Sequence, residues 1–170
     1  MRASPTVLVR LAKEGDREAL LDVLGRVYDA NMGYPARIDT DGSVASLETW
    51  LLRDTPLARW VASVDDDQVG HVLVHEPGQY LISRQRALFL NPNVTWLEIG
   101  KLFADPLTPG LDVGGALLST ARTYIADLGA RAVLCVLDTS ESALRLYVRE
   151  GMAIVGEFLG VHGRNIVMTD

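Results

Sequence analysis

Residues 96–118 read WLEIGKLFADPLTPGLDVGGALL, and this stretch decides how the rest of the chain is interpreted. Its apolar beginning predicts a β-strand that ends at Asp105 and Pro106. A short loop of turn residues follows, and a helix then begins on the small residues 113–116. A strand, a glycine-containing loop and a helix N-terminus in this order gather main-chain N–H groups where a phosphate can bind. The stretch therefore predicts an anion-binding turn.

Periodic apolar patterns on both sides of this stretch predict further strands and helices. Strands are predicted at residues 6–11, 59–64, 68–75, 95–104, 132–137, 153–159 and 165–168. Helices are predicted at residues 15–27, 43–53, 113–128 and 140–150, with Ser43 as an N-cap and Gly129 ending the third. Residues 31–42 predict a loop, and residues 77–94 fit either a strand extension or a short helix. The order βααβββαβαββ is typical of a mixed α/β sheet layered with helices.

The composition indicates an ordinary globular protein. Of the 170 residues, 48% are hydrophobic and 22% are charged. The net charge of −6 argues against non-specific nucleic-acid binding, which needs a basic surface, and is compatible with a cationic substrate such as an amine. No apolar run approaches the ~20 residues that span a bilayer, and no N-terminal signal pattern is present. We therefore expect a cytoplasmic protein that does not associate with membranes.

Histidine and cysteine offer little sign of metal or thiol chemistry. Cys135 is the single cysteine, which excludes an intramolecular disulfide, fits a reducing compartment and, from its apolar neighbours, predicts a core thiol. His71 and His75 share a strand face but lie roughly 13 Å apart at the rise of a strand, and no nearby group completes a metal site. His75, near the strand end, is a candidate for lining a substrate pocket. No Ser-His-Asp pattern is present.

Three short segments give the chain a resemblance to a known family. They are LFADP at 102–106, VGGALL at 113–118 and ALRLYVREGM at 143–152. In this order and spacing the chain resembles the GCN5-related N-acetyltransferase (GNAT) family over essentially its whole length. The resemblance implies one domain over residues 1–170, with a mixed, mostly antiparallel central sheet flanked by helices, as in acyl-CoA N-acyltransferases. A nucleotide-binding domain of another kind would need a longer parallel βαβ series.

The resemblance also implies an activity and its residues. The expected reaction moves an acetyl group from acetyl-CoA to a primary amine, on a small molecule or a protein, by direct attack and without a metal; a homodimer is compatible. Tyr147 matches the tyrosine that many GNAT members place near the thioester sulfur as general acid. Glu98 matches the glutamate that some members use as general base. The predicted cofactor-binding residues are Leu102, Phe103, Ala104, Gly110, Leu111, Asp112, Val113, Gly114, Gly115 and Ser140.

Both catalytic assignments have a structural alternative. Tyr147 could pack its ring in the core of an amphipathic helix. Glu98 could be paired with Lys101 or an arginine. By strand alternation we expect Trp96, Leu102 and Ala104 to share the face of Glu98, so that partial burial raises the pKa of its carboxyl group.

The phosphate loop departs from the family pattern. The family has Gln or Arg, two residues, Gly, one residue, then Gly or Ala, and these positions fall on Pro109, Asp112 and Gly114, of which only Gly114 matches. Asp112 is a good N-cap residue, but its carboxylate would repel a phosphate that needs the same donors. Ser140 likewise could touch the cofactor or cap the next helix. The alternative function is a catalytically impaired binding or structural module with a weakened CoA site.

Overall fold

One seven-stranded sheet organises the residues that the computed structural model describes, which are 5–30, 34–37 and 39–170. The strands are β1 Leu8–Leu11, β2 Ala58–Val64, β3 Asp67–His75, β4 Trp96–Ala104, β5 Arg131–Leu137, β6 Ala153–Gly160 and β7 Gly163–Thr169. They lie in the order β1-β2-β3-β4-β5-β7-β6, and each neighbouring pair is antiparallel except β4 and β5. The predicted mixed, mostly antiparallel sheet is confirmed.

The helices follow the predicted order. A 3-10 turn at Glu14–Asp16 leads into α1 Arg17–Asp29, and then come α2 Val44–Leu52, α3 Gln79–Ile82, α4 Val113–Asp127 and α5 Glu141–Arg149. The Ser43 hydroxyl caps α2 by accepting the Ser46 N–H at 3.3 Å, and Gly129 ends α4 with a φ of +71°. The segment 77–94, for which the sequence left a strand extension or a short helix as alternatives, contains the short helix α3 followed by turns. Within the predicted loop 31–42, residues 31–33 and 38 lie outside the described residues.

Two apolar layers hold the helices on opposite faces of the sheet. On one face α4 packs through Leu117, Leu118 and Ile125, which are completely or almost completely buried. On the other face α1 and α2 form a second cluster with the sheet. Each fully buried Leu or Ile contributes about 1.5–3 kcal/mol relative to an exposed side chain, so the two layers fix the helices firmly. None of the helices in the described residues is long and apolar enough to cross a membrane.

The two parallel strands stay together over only three residue pairs. Trp96, Leu97 and Glu98 of β4 pair with Arg131, Ala132 and Val133 of β5, and no pairing follows although both strands continue. The other edge of β5 is paired with β7 from Val133 to Leu137, so only the edge that faces β4 is left unpaired. The diverging strands open a cleft of about 1000 Å³ between the sheet and α5.

A bulge in β4 reverses which side chains face each layer. His71 pairs with Phe103 and Leu73 with Gly100, so β4 carries one residue more than β3 over this interval. Lys101 absorbs the extra residue with a φ of +49°. As a result Leu102 and Ala104 pack with the α4 layer, and the prediction that they share the face of Glu98 is wrong. Trp96, on the near side of the bulge, packs with Leu81 of α3, the helix that also contacts Glu98.

Candidate active site

The cleft between β4 and β5 collects most of the predicted site residues. Its lining includes the following predicted residues: Glu98, Leu102, Phe103, Ala104, Gly114, Ser140 and Tyr147. The strands contribute main chain that no neighbouring strand occupies, and α5 contributes side chains from the opposite wall. A neighbouring hollow of about 710 Å³ is lined by four more predicted residues: Gly110, Leu111, Asp112 and Gly115. Val113 is buried in the core and lines neither space, so it can contribute only its main chain.

The turn before α4 presents a row of free main-chain donors. The N–H groups of residues 110–115 donate no hydrogen bond to any described residue. The first helical bond of α4 begins one residue later, where the Ala116 N–H donates to the Asp112 carbonyl at 3.1 Å. Gly110, with a φ of +78°, turns the loop towards the helix. Six adjacent donors at a helix N-terminus are suited to an anion.

The start of this loop is anchored at Asp105. Its carboxylate accepts hydrogen bonds from the Arg26 guanidinium at 2.5 and 3.0 Å and from the Leu107 N–H at 3.0 Å. The Arg26 guanidinium and the Leu107 N–H together keep the pKa of Asp105 below its ordinary value, although burial opposes them. The end of β4 is therefore tied to α1, and the loop that follows departs from a fixed point.

Asp112 occupies the N-cap position of α4 but does not cap it. Its side chain accepts no hydrogen bond from the first turn, in contrast to the predicted capping role. Instead the carboxylate pairs with the guanidinium of Arg149, at the end of α5. It also lies over Gly115, where a β-carbon would come within 2.5 Å of a carboxylate oxygen. The main chain of Asp112 is left-handed, with a φ of +53°, a conformation that Asp tolerates and glycine adopts freely.

Tyr147 lies in the core and also reaches the cleft, so its two alternative roles do not exclude each other. The side chain belongs to the core cluster beneath α4 and is 7% exposed, yet the residue lines the cleft. Burial raises the pKa of the phenol to about 12, so it is protonated at neutral pH. The hydroxyl group has no hydrogen-bond partner among the described residues. It is thus a proton donor available to a bound molecule.

Glu98 is a buried carboxylate held by neutral donors. The Gly78 N–H donates to Oε2 at 2.9 Å, and the Tyr80 hydroxyl donates to Oε1. Burial raises its pKa, while the charge of a protonated His75 and the two hydrogen bonds oppose that rise. The predicted alternative, a pair with Lys101, is wrong: the Lys101 ammonium group lies 2.7 Å from Asp54 and donates to carbonyl groups at the end of α2.

Ser140 and Phe103 line the cleft for different reasons. Ser140 stands at the N-cap position of α5, but its side chain makes no capping bond and so remains available to a ligand. The ring of Phe103 stacks on His71 in the cluster beneath α1 and α2, at 5.1 Å between centroids. The contribution of Phe103 to the cleft is therefore chiefly its main chain.

Several lining residues were not found from the sequence. Gly78 and Tyr80 come from the segment 77–94, where the sequence left a strand extension and a short helix both open and singled out no site residue. Cys135, predicted to be a core thiol, is partly exposed and lines the cleft, where burial raises its pKa. No group of three or more His, Cys, Asp or Glu side chains in the described ranges is arranged to hold a metal ion, and a metal-free reaction stays a prediction.

Comparison with known proteins identifies the architecture. The family model described as "Acetyltransferase (GNAT) family" matches residues 24–152. Among solved structures, PH1933 from Pyrococcus horikoshii OT3 is 18% identical, with a TM-score of 0.70, covering 96% of this chain and 97% of that one. No curated protein matches the chain.

Two similar structures were solved with the expected cofactor. Arabidopsis thaliana NAA60 in complex with acetyl-CoA is 15% identical, with a TM-score of 0.67, covering 97% of this chain and 98% of that one. The PaiA N-acetyltransferase from Thermoplasma acidophilum in complex with coenzyme A is 14% identical, with a TM-score of 0.66 and the same coverage. Such identities show a shared fold, and the family model shows more: this chain belongs to the GNAT family of acetyltransferases.

Proposed function

We propose that this protein is an N-acetyltransferase that uses acetyl-CoA to acetylate a primary amine. The observation that carries the proposal is the row of free N–H groups at residues 110–115, placed beside the cleft that Tyr147 and Glu98 line. Family membership supplies the reaction class, and the row of donors supplies a place for an anionic cofactor.

The residues present fit the cofactor at three points. The main-chain donors of Gly110 to Gly115 would hold its pyrophosphate. The unpaired edge of β4 at Leu102, Phe103 and Ala104 would bond its amide-bearing arm as an added strand does. The hydroxyl group of Ser140, which does not cap α5, would form one further hydrogen bond with the cofactor. When bound, acetyl-CoA supplies the activated acetyl thioester.

Two side chains would manage the protons of the transfer. Tyr147, protonated and without a partner in the described chain, would donate a hydrogen bond or proton to the departing sulfur. Glu98 would accept the proton that the amine nitrogen must lose, directly or through a neighbour. Its raised pKa brings it closer to the operating range of a general base than an exposed glutamate.

The acceptor amine would enter from the end of the cleft that lies away from the free N–H groups. Carboxylates of Asp39, Asp54 and Glu98 line this region. Asp39 and Asp54 lie within ion-pair distance of Arg53 and Lys101 respectively, whereas Glu98 has no Lys or Arg partner among the described residues. A cationic amine therefore meets uncompensated negative charge at Glu98, next to the proposed site of transfer.

One observation favours a second function. Pro109 supplies no side-chain donor, and the Asp112 carboxylate lies over the same turn whose N–H groups would hold the phosphates. Its pairing with Arg149 offsets part of the repulsion, because the guanidinium brings a positive charge to the site. Should that offset be too small, the chain would be a GNAT-fold binding or structural module with a weakened CoA site.

Calorimetric titration with acetyl-CoA distinguishes the two. Coenzyme A and ATP serve as comparisons, since they test whether the thioester and the pantetheine arm contribute. Micromolar acetyl-CoA binding that ATP does not reproduce supports the enzyme and leads to a screen of amines for acetylation. Absence of binding at millimolar acetyl-CoA would contradict the enzyme and leave the binding module.

A further inference from the structure

We propose that His75 is the residue that takes the proton from the acceptor amine, through its Nε2 atom, and that Glu98 positions and stabilises it. This inference rests on the proposed acetyltransferase function. It assigns the direct proton acceptor to β3, and it gives Glu98, the glutamate that the family resemblance implies as base, a supporting role.

The sheet places the two side chains together. His75 and Glu98 are direct partners in the antiparallel register of β3 and β4, on the same face of the sheet. The His75 Nε2 atom lies 4.0 Å from Glu98 Oε2. Both residues line the cleft, but the imidazole is 17% exposed and the carboxylate only 5%, so the imidazole is the more accessible of the two.

The main chain fixes which nitrogen of the ring can accept a proton. The His75 Nδ1 atom lies 2.6 Å from the carbonyl oxygen of Glu76. A carbonyl oxygen only accepts hydrogen bonds, so Nδ1 must carry the hydrogen atom. In the neutral ring the lone pair is then on Nε2, the nitrogen on the side of Glu98.

A glycine makes room for this arrangement. At Gly100, two residues beyond Glu98 on β4, a β-carbon would come within 3.0 Å of His75 Nε2 and 3.4 Å of Cδ2. A larger residue would displace the ring from its place beside the carboxylate. The position of the His75 imidazole therefore depends on the absence of a side chain at Gly100 on the neighbouring strand.

Glu98 is held as a partner for a cation. The Gly78 N–H and the Tyr80 hydroxyl each bond one of its oxygen atoms and fix the plane of the carboxylate. Both donors are neutral, so they orient the carboxylate without neutralising its charge. A protonated His75 would bring a positive charge to within 4.0 Å of this carboxylate.

The proton transfer balances as follows. The acceptor nitrogen forms its bond to the acetyl carbon, the carbon–sulfur bond breaks, and the sulfur leaves as a thiol with the Tyr147 proton. One hydrogen–nitrogen bond of the amine breaks and its proton forms the Nε2–H bond of His75, giving an imidazolium paired with the Glu98 carboxylate. That proton then returns through water to the Tyr147 phenolate, which restores both residues.

Rescue by imidazole tests this assignment once a substrate amine is found. His75→Ala should lower kcat by about 100-fold, the scale of one general base, without weakening acetyl-CoA binding in calorimetry. Added imidazole should restore part of the lost kcat in proportion to its concentration. His162→Ala is the matched control, whose activity, whatever its level, should not respond to imidazole. A His75→Ala kcat equal to that of the wild type, or no response to imidazole, would overturn the proposal.

Nitrogen NMR tests the same assignment without any substrate. The chain has three histidines, so single variants assign each ring in a uniformly labelled sample. Long-range proton–nitrogen spectra should show the His75 ring with its hydrogen atom on Nδ1. A neutral ring that carries the hydrogen atom on Nε2 would refute the base role even if the protein acetylates amines. Failure of every amine to react would instead count against the proposed function.

Discussion

Acid should destabilise this protein through a histidine far from its surface. His71 of β3 is completely buried, and its Nδ1 atom lies 2.7 Å from the carbonyl oxygen of the bulged residue Lys101. Its Nε2 atom has no hydrogen-bond partner among the residues that the structure describes. Burial lowers the pKa of the ring to about 3, and the nearby charges of Arg59 and Lys101 act in the same direction. The native state therefore holds His71 neutral.

The sign and size of the effect follow from proton linkage. Above pH 6.5 the ring is neutral in the folded and unfolded chains alike, and it contributes no pH dependence. Between pH 6.5 and about 3, His71 binds a proton in the unfolded chain but stays neutral in the folded chain. The free energy of unfolding then falls by about 1.4 kcal/mol for each pH unit, to a total of about 4–5 kcal/mol. Below pH 3 the loss is complete.

Urea unfolding of the wild type and of His71→Asn between pH 4.5 and 7.5 measures this contribution. The Asn amide can still donate to the Lys101 carbonyl group from the position of Nδ1, but it does not titrate. Carboxylates titrate in both proteins and cancel in the difference. We expect the free energy of unfolding of the variant to depend less steeply on pH, by about 1.4 kcal/mol per unit below pH 6.

The comparison depends on slopes and not on absolute stabilities. His71→Asn loses the stacking contact with Phe103, so the variant can be less stable at pH 7.5 without affecting the conclusion. His162→Asn, at a partly exposed histidine, is the control for losing a titratable ring elsewhere. If the free energies of unfolding of the wild type and His71→Asn changed in parallel from pH 7.5 to 4.5, the inference that His71 stays neutral in the folded protein would be refuted.

Three further predictions concern the candidate site. Glu98→Gln should raise the free energy of unfolding measured with urea at pH 7.5, because the wild type must bury an ionised carboxylate whose pKa burial raises. Below pH 4.5 the wild-type carboxyl group is protonated and neutral like the Gln amide, so the gain in stability should vanish. A difference in stability that does not depend on pH would contradict the raised pKa. Asp112→Gly and Asp112→Asn should each tighten CoA binding by at least about threefold in calorimetry, because both remove the carboxylate. Glycine readily adopts the left-handed main-chain conformation of residue 112. Unchanged affinity in both variants would show that the carboxylate does not weaken CoA binding. Tyr147→Phe should lower kcat by about 100-fold at unchanged acetyl-CoA affinity, and unchanged turnover would remove Tyr147 from the mechanism.

The fold could be predicted because its main determinants are local. The apolar pattern places α4 at residues 113–128, and the structure has it at Val113–Asp127. Likewise the strand expected at 95–104 is Trp96–Ala104. These elements bury one face each, and burial of a periodic face is what the sequence pattern records. The order of elements with its family motifs then sufficed for the architecture.

The faces of β4 could not be predicted, because the bulge depends on distant partners. Lys101 takes a left-handed conformation that its own side chain disfavours. Its carbonyl group is held by His71, thirty positions earlier, and its ammonium group by the end of α2, about fifty positions earlier. A one-residue bulge reverses every later side chain, so simple alternation failed at Leu102 and Ala104. No local pattern contains these interactions.

The phosphate turn shows why matching side chains gives an incomplete account of an anion site. Two of the three family positions, Pro109 and Asp112, differ in their side chains, and a count of matches would discard the loop. Yet the donors are N–H groups of the main chain, and the six at residues 110–115 donate to no residue in the described part of the chain. Asp112 keeps the left-handed turn for which glycine is usually required, and its charge is paired with Arg149. The substitution therefore preserves the shape of the site and alters its charge, and Asp112→Asn, which removes only the charge, separates the two.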